Sequence, residues 1–211
     1  MTANPQAKRD SLYATLMGEI KTRVQSIYVS LSRIKADRNA PTAFTDVESC
    51  VLQIRFICEL VALGALLAHE GLGLNKRLRK DWNAEAIFDA LSKVNPHCFP
   101  HPVKAERDAT GRLNIGSPPG LFLNRQGLQK IYSECGRLLH RGSLKQAPIG
   151  FAKNYDVDEI NVWLNELKKL LSDHVVLILP EGQILLVHMF GGPTGEVVVY
   201  RAILPEWPLQ E

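Results

Sequence analysis

The chain has 211 residues, of which 45% are apolar and 22% are charged. This length is typical of one domain, and it buries roughly 70% of the surface that the unfolded chain exposes, so folding needs neither disulfide bonds nor a structural metal. The formal net charge of +3 is too small to identify a nucleic-acid-binding protein, although it does not oppose one.

Cysteine usage and the apolar segments favour a reducing, aqueous compartment. The chain has four cysteines and no CxxC pair: Cys50, Cys58, Cys98 and Cys135. Such cysteines are typical of a cytoplasmic protein rather than of a secreted disulfide framework. The N-terminal segment is polar, and the longest apolar stretch, 51–68, is interrupted by Arg55 and Glu59. We therefore expect a cytoplasmic protein without a membrane span.

The first third of the chain predicts two long helices. Apolar residues recur every three or four positions over 9–36, which is typical of an amphipathic helix. Thr45 and Glu48 have the spacing of a capping box, which predicts that the second helix begins at Thr45. Over 50–68 that helix is apolar nearly all round, so we expect it at the centre of a bundle.

The middle of the chain carries a basic cluster, a short helix and a long loop. The basic cluster consists of Lys76, Arg77, Arg79 and Lys80, and it is either an RNA-contacting surface or a solvated helix end. Asn83 is a suitable N-cap for a third helix. Residues 95–120 contain five prolines and predict a loop, which is either a functional flap or a tolerated surface excursion.

The last third of the chain changes from helix to strand. Asn124 opens a fourth predicted helix over about 125–142, and a fifth begins near Asp156. Three β-rich runs then predict a small antiparallel meander: 175–179, 184–188 and 197–204.

These elements predict a mainly α fold, α+β overall. A five-helix, bundle-like domain is expected over 1–174, and a three-stranded β-meander over 175–211 is expected to pack on the bundle.

Two charged residues in the apolar second helix mark the first candidate site. Arg55 and Glu59 are four residues apart, so they share a helix face. Burying charges is costly unless they are paired. The pair is therefore either an internal salt bridge that orders the bundle or part of a polar cleft that orients a partner on another helix.

The fourth helix supplies candidates for that partner. Tyr132, Gly136 and His140 are spaced by four and line one stripe. Gly136 costs about 1 kcal/mol relative to Ala in a helix, which suggests that another helix or a ligand approaches closely there. His140 suits general acid–base chemistry, or it caps the helix carbonyls. Arg137 and Arg141 lie beside the stripe and suit phosphate binding. We expect Glu59 to lie within hydrogen-bond or salt-bridge reach of Arg55, Arg137 or His140. The candidate catalytic residues are therefore Arg55, Glu59, Tyr132, Arg137 and His140.

Other patterns are weaker. His97, Cys98 and His101 suggest a zinc site, but a fourth ligand would have to come from elsewhere, and no CxxC or second HxxxH supplies it, so we predict neither a metal nor a cofactor. A separate possibility is a small-molecule site lined by three aromatic residues: Trp82, Phe99 and Phe122.

The order of helices over about 9–172 and the late motif from Tyr132 to His140 resemble the HEPN superfamily of helical bundles. Many HEPN proteins are metal-independent ribonucleases of toxin–antitoxin and antiphage systems, with an Arg followed after four to six residues by a His, usually in a dimer. The resemblance implies that His140 assists attack of an RNA 2′-hydroxyl on the adjacent phosphate while an arginine stabilises the developing charge. The product would be a 2′,3′-cyclic phosphate.

The sequence departs from that motif, because two residues separate Arg137 from His140. Other HEPN-like bundles lack activity and serve as binding or dimerisation modules. The sequence therefore predicts a HEPN-like protein that binds or acts on RNA or nucleotides in a defence or toxin–antitoxin setting. If it is an enzyme, the resemblance implies a metal-independent ribonuclease. The alternative is a non-catalytic helical module for protein–protein interaction. Either is expected to form a homodimer through the bundle.

Overall fold

A computed structural model describes residues 4–72, 78, 83–110, 113–140, 155–178 and 181–203. These residues form five helices: α1 Pro5–Ala36, α2 Ala43–Ala68, α3 Ala84–Ser92, α4 Arg125–Leu139 and α5 Val157–Leu171. They also form six strands: β1 His101–Pro102, β2 Lys104–Arg107, β3 Leu113–Gly116, β4 Asp173–Ile178, β5 Gln183–His188 and β6 Val198–Ile203. The mainly helical α+β fold predicted from the sequence is confirmed.

Helix α2 is the centre of the bundle, as its composition predicts. Ile54, Ile57 and Cys58 have no exposed surface. Gly64 allows α1 to pack closely, because a Cβ at Gly64 would lie 3.2 Å from the Met17 side chain. By length and composition, α2 is the one described helix that could cross a membrane. This is weak evidence for a membrane span, because most of the helix is buried in the core. The fold is compatible with a soluble protein.

The predicted meander is present as β4, β5 and β6, in antiparallel register. Its alternate residues face two hydrophobic clusters. Val176 and Ile178 join the main core with the helices, whereas Val175 and Leu177 face a smaller cluster beneath the β2–β3 hairpin. The sheet is thus packed on the bundle through a shared core.

Several sequence predictions about this fold are wrong. Helix α2 begins at Ala43, so Thr45 lies inside the helix and its hydroxyl donates to the Thr42 carbonyl instead of capping. The region predicted as a loop, 95–120, contains three short strands. Of these, β1 pairs with β4 and adds a fourth strand to the sheet, a contact between segments distant in sequence.

The starts of α3, α4 and α5 agree with prediction, because they depend on local chemistry, whereas α1 begins at Pro5, before the predicted residue 9. The side chains of Asn83 and Asn124 accept the backbone N–H groups of Ala86 and Gly127, three residues on. Asp156 accepts two backbone N–H groups at the start of α5.

Two buried histidines join the sheet to the helices. The His174 Nε2 lies 3.0 Å from the Tyr13 hydroxyl, and its Nδ1 lies 3.0 Å from the Leu171 carbonyl. Burial lowers the pKa of His174 to about 4. His69 has a similar role, because its Nδ1 lies 2.7 Å from the Ala65 carbonyl of α2 and its Nε2 lies 3.3 Å from the Leu177 carbonyl of β4. Burial also lowers the pKa of His69, so both rings are neutral near pH 7.

Candidate functional site

The two charged residues of α2 meet α4 in the interior of the bundle. The Arg55 guanidinium donates from Nη2 to the Tyr132 hydroxyl at 2.8 Å and from Nη1 to the Tyr132 carbonyl at 3.4 Å. It also lies over the Tyr132 ring, 4.2 Å from its centroid. The Arg55 Nε lies 3.4 Å from the Glu59 carboxylate. Arg55, Glu59 and Tyr132 therefore form one group, called here the Arg55 cluster.

Gly136 makes room for this cluster. A Cβ built at Gly136 would lie 2.6 Å from Arg55 Nη1, closer than any ordinary contact. The space that this helical glycine leaves open is thus filled by the Arg55 side chain rather than by the backbone of another helix. The missing side chain lets the guanidinium approach the α4 backbone closely enough to reach the Tyr132 carbonyl.

Burial controls the electrostatics of the Arg55 cluster. It raises the pKa of Glu59, although the neighbouring Arg55 and the Tyr132 hydroxyl oppose the rise. It also raises the pKa of Tyr132, again opposed by Arg55. The Glu59 side chain is 14% exposed and that of Arg55 21% exposed, so the ion pair has little contact with solvent. The expectation that Glu59 lies within reach of Arg55 is confirmed.

The other two predicted catalytic residues lie elsewhere. Arg137 is exposed and pairs with Glu134 on its own helix, with Nε 2.7 Å from the carboxylate. His140 is exposed and is the C-cap of α4, in an extended conformation, so the helix predicted to reach residue 142 ends at Leu139. Within the described parts of the chain, neither side chain has a hydrogen bond or ion pair with the Arg55 cluster.

Several predicted site residues lie outside the described residues. These are the expected RNA-binding residues Lys76, Arg77, Arg79, Lys80 and Arg141, together with Trp82.

Tyr155 is a site residue that the sequence reading missed. Its hydroxyl lies 3.1 Å from the Glu48 carboxylate of α2 and 3.2 Å from the Leu138 carbonyl of α4. Its ring contacts Phe44 edge-on, with centroids 5.6 Å apart. Tyr155 therefore brings the start of α2 to the end of α4, next to His140. Nothing local marks this role, because its partners are far away in sequence.

A groove of about 840 Å³ lies between α4 and α5, and Phe122 lines it. Phe99 does not, since it is buried against Phe88. One lysine, Lys130, faces five carboxylates in the lining: Glu134, Asp156, Asp158, Glu159 and Glu166. This acidic lining opposes the approach of a phosphate backbone on that side of α4.

The possible zinc ligands are not arranged as a metal site. Cys98 is buried, and burial raises the pKa of its thiol to about 11, which opposes the thiolate that a metal needs. The rings of His97 and His101 have centroids 6.3 Å apart. In the ranges that the structure covers, no group of three or more His, Cys, Asp or Glu side chains could hold a metal ion.

Comparison with known proteins adds no relative. No protein-family model, curated protein or solved structure matches this chain.

Proposed function

We propose that this protein is a non-catalytic, HEPN-like helical module that self-associates through one end of its bundle. The observation that carries the proposal is the inward placement of Arg55. Its guanidinium is engaged by Tyr132 and Glu59, so it is not directed with His140 at a common point. Arg137 is paired with Glu134. The arginine–histidine arrangement that supports RNA cleavage is therefore not assembled within the described part of one chain.

The surface proposed for self-association lies where α2 and α4 meet at Tyr155. Two apolar residues of α2 are partly exposed on this side: Phe44, which contacts Tyr155, is 37% exposed, and Leu52, two turns further along the helix, is 36% exposed. They are eight residues apart, so they share one face of α2. Arg137 and His140 provide a polar rim. We call Phe44, Leu52, Arg137 and His140 the α2–α4 patch. An apolar centre with a polar rim is typical of protein interfaces.

Sedimentation velocity tests the proposal. Wild type should form a dimer at micromolar concentration, and Leu52→Lys should shift it to monomer by placing a charge at the centre of the patch. Val162→Lys is the matched control, because Val162 is 54% exposed on α5 and lies outside the patch. A monomeric wild type, or equal weakening by both variants, would contradict the proposal.

A second candidate is a metal-independent ribonuclease of a defence or toxin–antitoxin system. The observation that favours it is the exposure of His140, one helical turn beyond Gly136 and beside Arg137. A dimer through the α2–α4 patch would bring two copies of this histidine together. The same geometry also suits RNA or nucleotide binding without cleavage, in a cytoplasmic protein that needs no cofactor.

Incubation with mixed RNA in EDTA separates the two candidates. The non-catalytic proposal predicts intact RNA with both wild type and His140→Ala. Cleavage by wild type that His140→Ala abolishes would establish the ribonuclease instead.

A further inference from the structure

A second cavity, of about 600 Å³, lies between α1, α5 and the turn at Met189–Phe190. Ile57 of α2 forms part of its floor, and apolar side chains supply most of its lining: Ile20, Val24, Leu167, Leu171 and Met189. This volume is ordinary for a small-molecule site. The cavity shares no residue with the α2–α4 patch.

Two aromatic rings line the cavity and remain partly in solvent. Phe190 is 66% exposed, and Tyr28 is 36% exposed. Together with the apolar cavity beside them, these rings form a contiguous apolar patch, which is a feature of ligand-binding grooves.

A lysine ammonium group lies over each of these rings at the cavity. The Lys21 ammonium donates to the Gly195 carbonyl and lies 4.4 Å from the Phe190 ring centroid. The Lys168 ammonium contacts the Tyr28 hydroxyl and lies 5.0 Å from the Tyr28 ring centroid. The rings and hydrogen bonds fix where the two positive charges lie, which reduces the entropy lost when an anion binds.

Among the residues that the structure describes, the lining of this cavity includes two lysines and no Asp or Glu. A nearby acidic residue, Glu196, lies outside the lining. The hydrogen bond from the Thr194 hydroxyl is the main cause that lowers the pKa of Glu196, and the charge of Lys21 is the smallest. The charge at the mouth is therefore positive, in contrast to the acidic groove between α4 and α5.

We propose that this cavity binds a small amphipathic carboxylate, such as a medium-chain fatty acid, with its apolar chain among the aliphatic side chains and its carboxylate between Lys21 and Lys168. The aliphatic lining removes the chain from water, and the two ammonium groups replace the water around the head. A cationic amphiphile is repelled at the same position, and a neutral one lacks the ionic contacts.

Isothermal titration calorimetry below the micelle concentration provides the test. Wild type should bind decanoate saturably, decanol about tenfold more weakly, and decylammonium least of all. The variant Lys21→Met/Lys168→Met should lose about tenfold in decanoate affinity and retain its affinity for decanol, because methionine preserves the apolar stem.

Lys169→Met is the control, because Lys169 is an exposed neighbour on α5 that does not line the cavity. It should leave decanoate affinity within about twofold. Circular dichroism would confirm that each variant is folded, and the three-ligand comparison on wild type needs no variant. Equal affinity for the three amphiphiles, no saturable decanoate binding, or an equal loss with Lys169→Met would overturn the proposal.

Discussion

The two ends of the Tyr132–His140 stripe lie in different environments, although their helical spacing is the same. Tyr132 is 5% exposed and holds Arg55 by its hydroxyl, whereas His140, two turns later, is exposed at the end of the helix. Periodicity places residues on one stripe, but a neighbouring helix covers only part of that stripe. The buried end belongs to the fold, and the exposed end is available to a partner.

The largest effect is expected from removing the buried arginine. Arg55→Met should lower the free energy of unfolding by about 2–3 kcal/mol, because it leaves the largely buried Glu59 without its counter-charge. Urea denaturation measures this. The double variant Arg55→Met/Glu59→Leu should recover part of the loss, and an unchanged stability of Arg55→Met would show that the cluster is not structural.

The burial of His174 predicts that the stability of the fold depends on pH. Since burial lowers the pKa of His174 to about 4, the folded protein holds this ring neutral, while the unfolded chain binds a proton near pH 6.5. Stability is therefore lost as the pH falls from 6.5 to 4. Between pH 7 and 5, wild type should lose about 2 kcal/mol more than His174→Gln in urea denaturation.

Gly136→Ala tests the close approach of Arg55. Alanine favours the helix by about 1 kcal/mol, but its Cβ would displace the guanidinium from Tyr132. We expect a net loss of about 1 kcal/mol in wild type and a net gain in the Arg55→Met background, where the clash is absent. Urea denaturation of the four proteins gives both signs, and stabilisation in both backgrounds would contradict the account.

The smallest effects are expected at the exposed end. Arg137→Ala and His140→Ala should change the free energy of unfolding by less than about 0.5 kcal/mol, because exposed side chains and surface ion pairs contribute little. Thermal and urea denaturation measure this. A loss above 1 kcal/mol for His140→Ala would place its side chain in the core network.

The sequence predicts the parts of this structure that depend on local chemistry. The caps Asn83, Asn124 and Asp156 follow from side chains within three residues, and the pairing of Arg55 with Glu59 follows from helical spacing. The partnership of Gly136 with Arg55 was predicted in outline, since both residues break a local preference and so indicate a neighbour.

Features that depend on distant contacts could not be predicted. The two-residue strand β1 exists because β4 lies beside it, and Tyr155 bridges helices that are far apart in sequence. Spacing alone also could not show that His140 faces solvent while Tyr132 does not, because both lie on one stripe of α4 and α2 covers only part of that stripe.

A pair of double-mutant cycles tests most directly whether the Tyr132 end of the stripe belongs to the fold and the His140 end does not. Free energies of unfolding would be measured for Arg55→Met, Tyr132→Phe, His140→Ala and the two double variants that contain Arg55→Met. The account predicts a coupling of about 1 kcal/mol between Arg55 and Tyr132 and a coupling near zero between Arg55 and His140. Comparable coupling of Arg55 to His140 would contradict it and would place the two residues in one site.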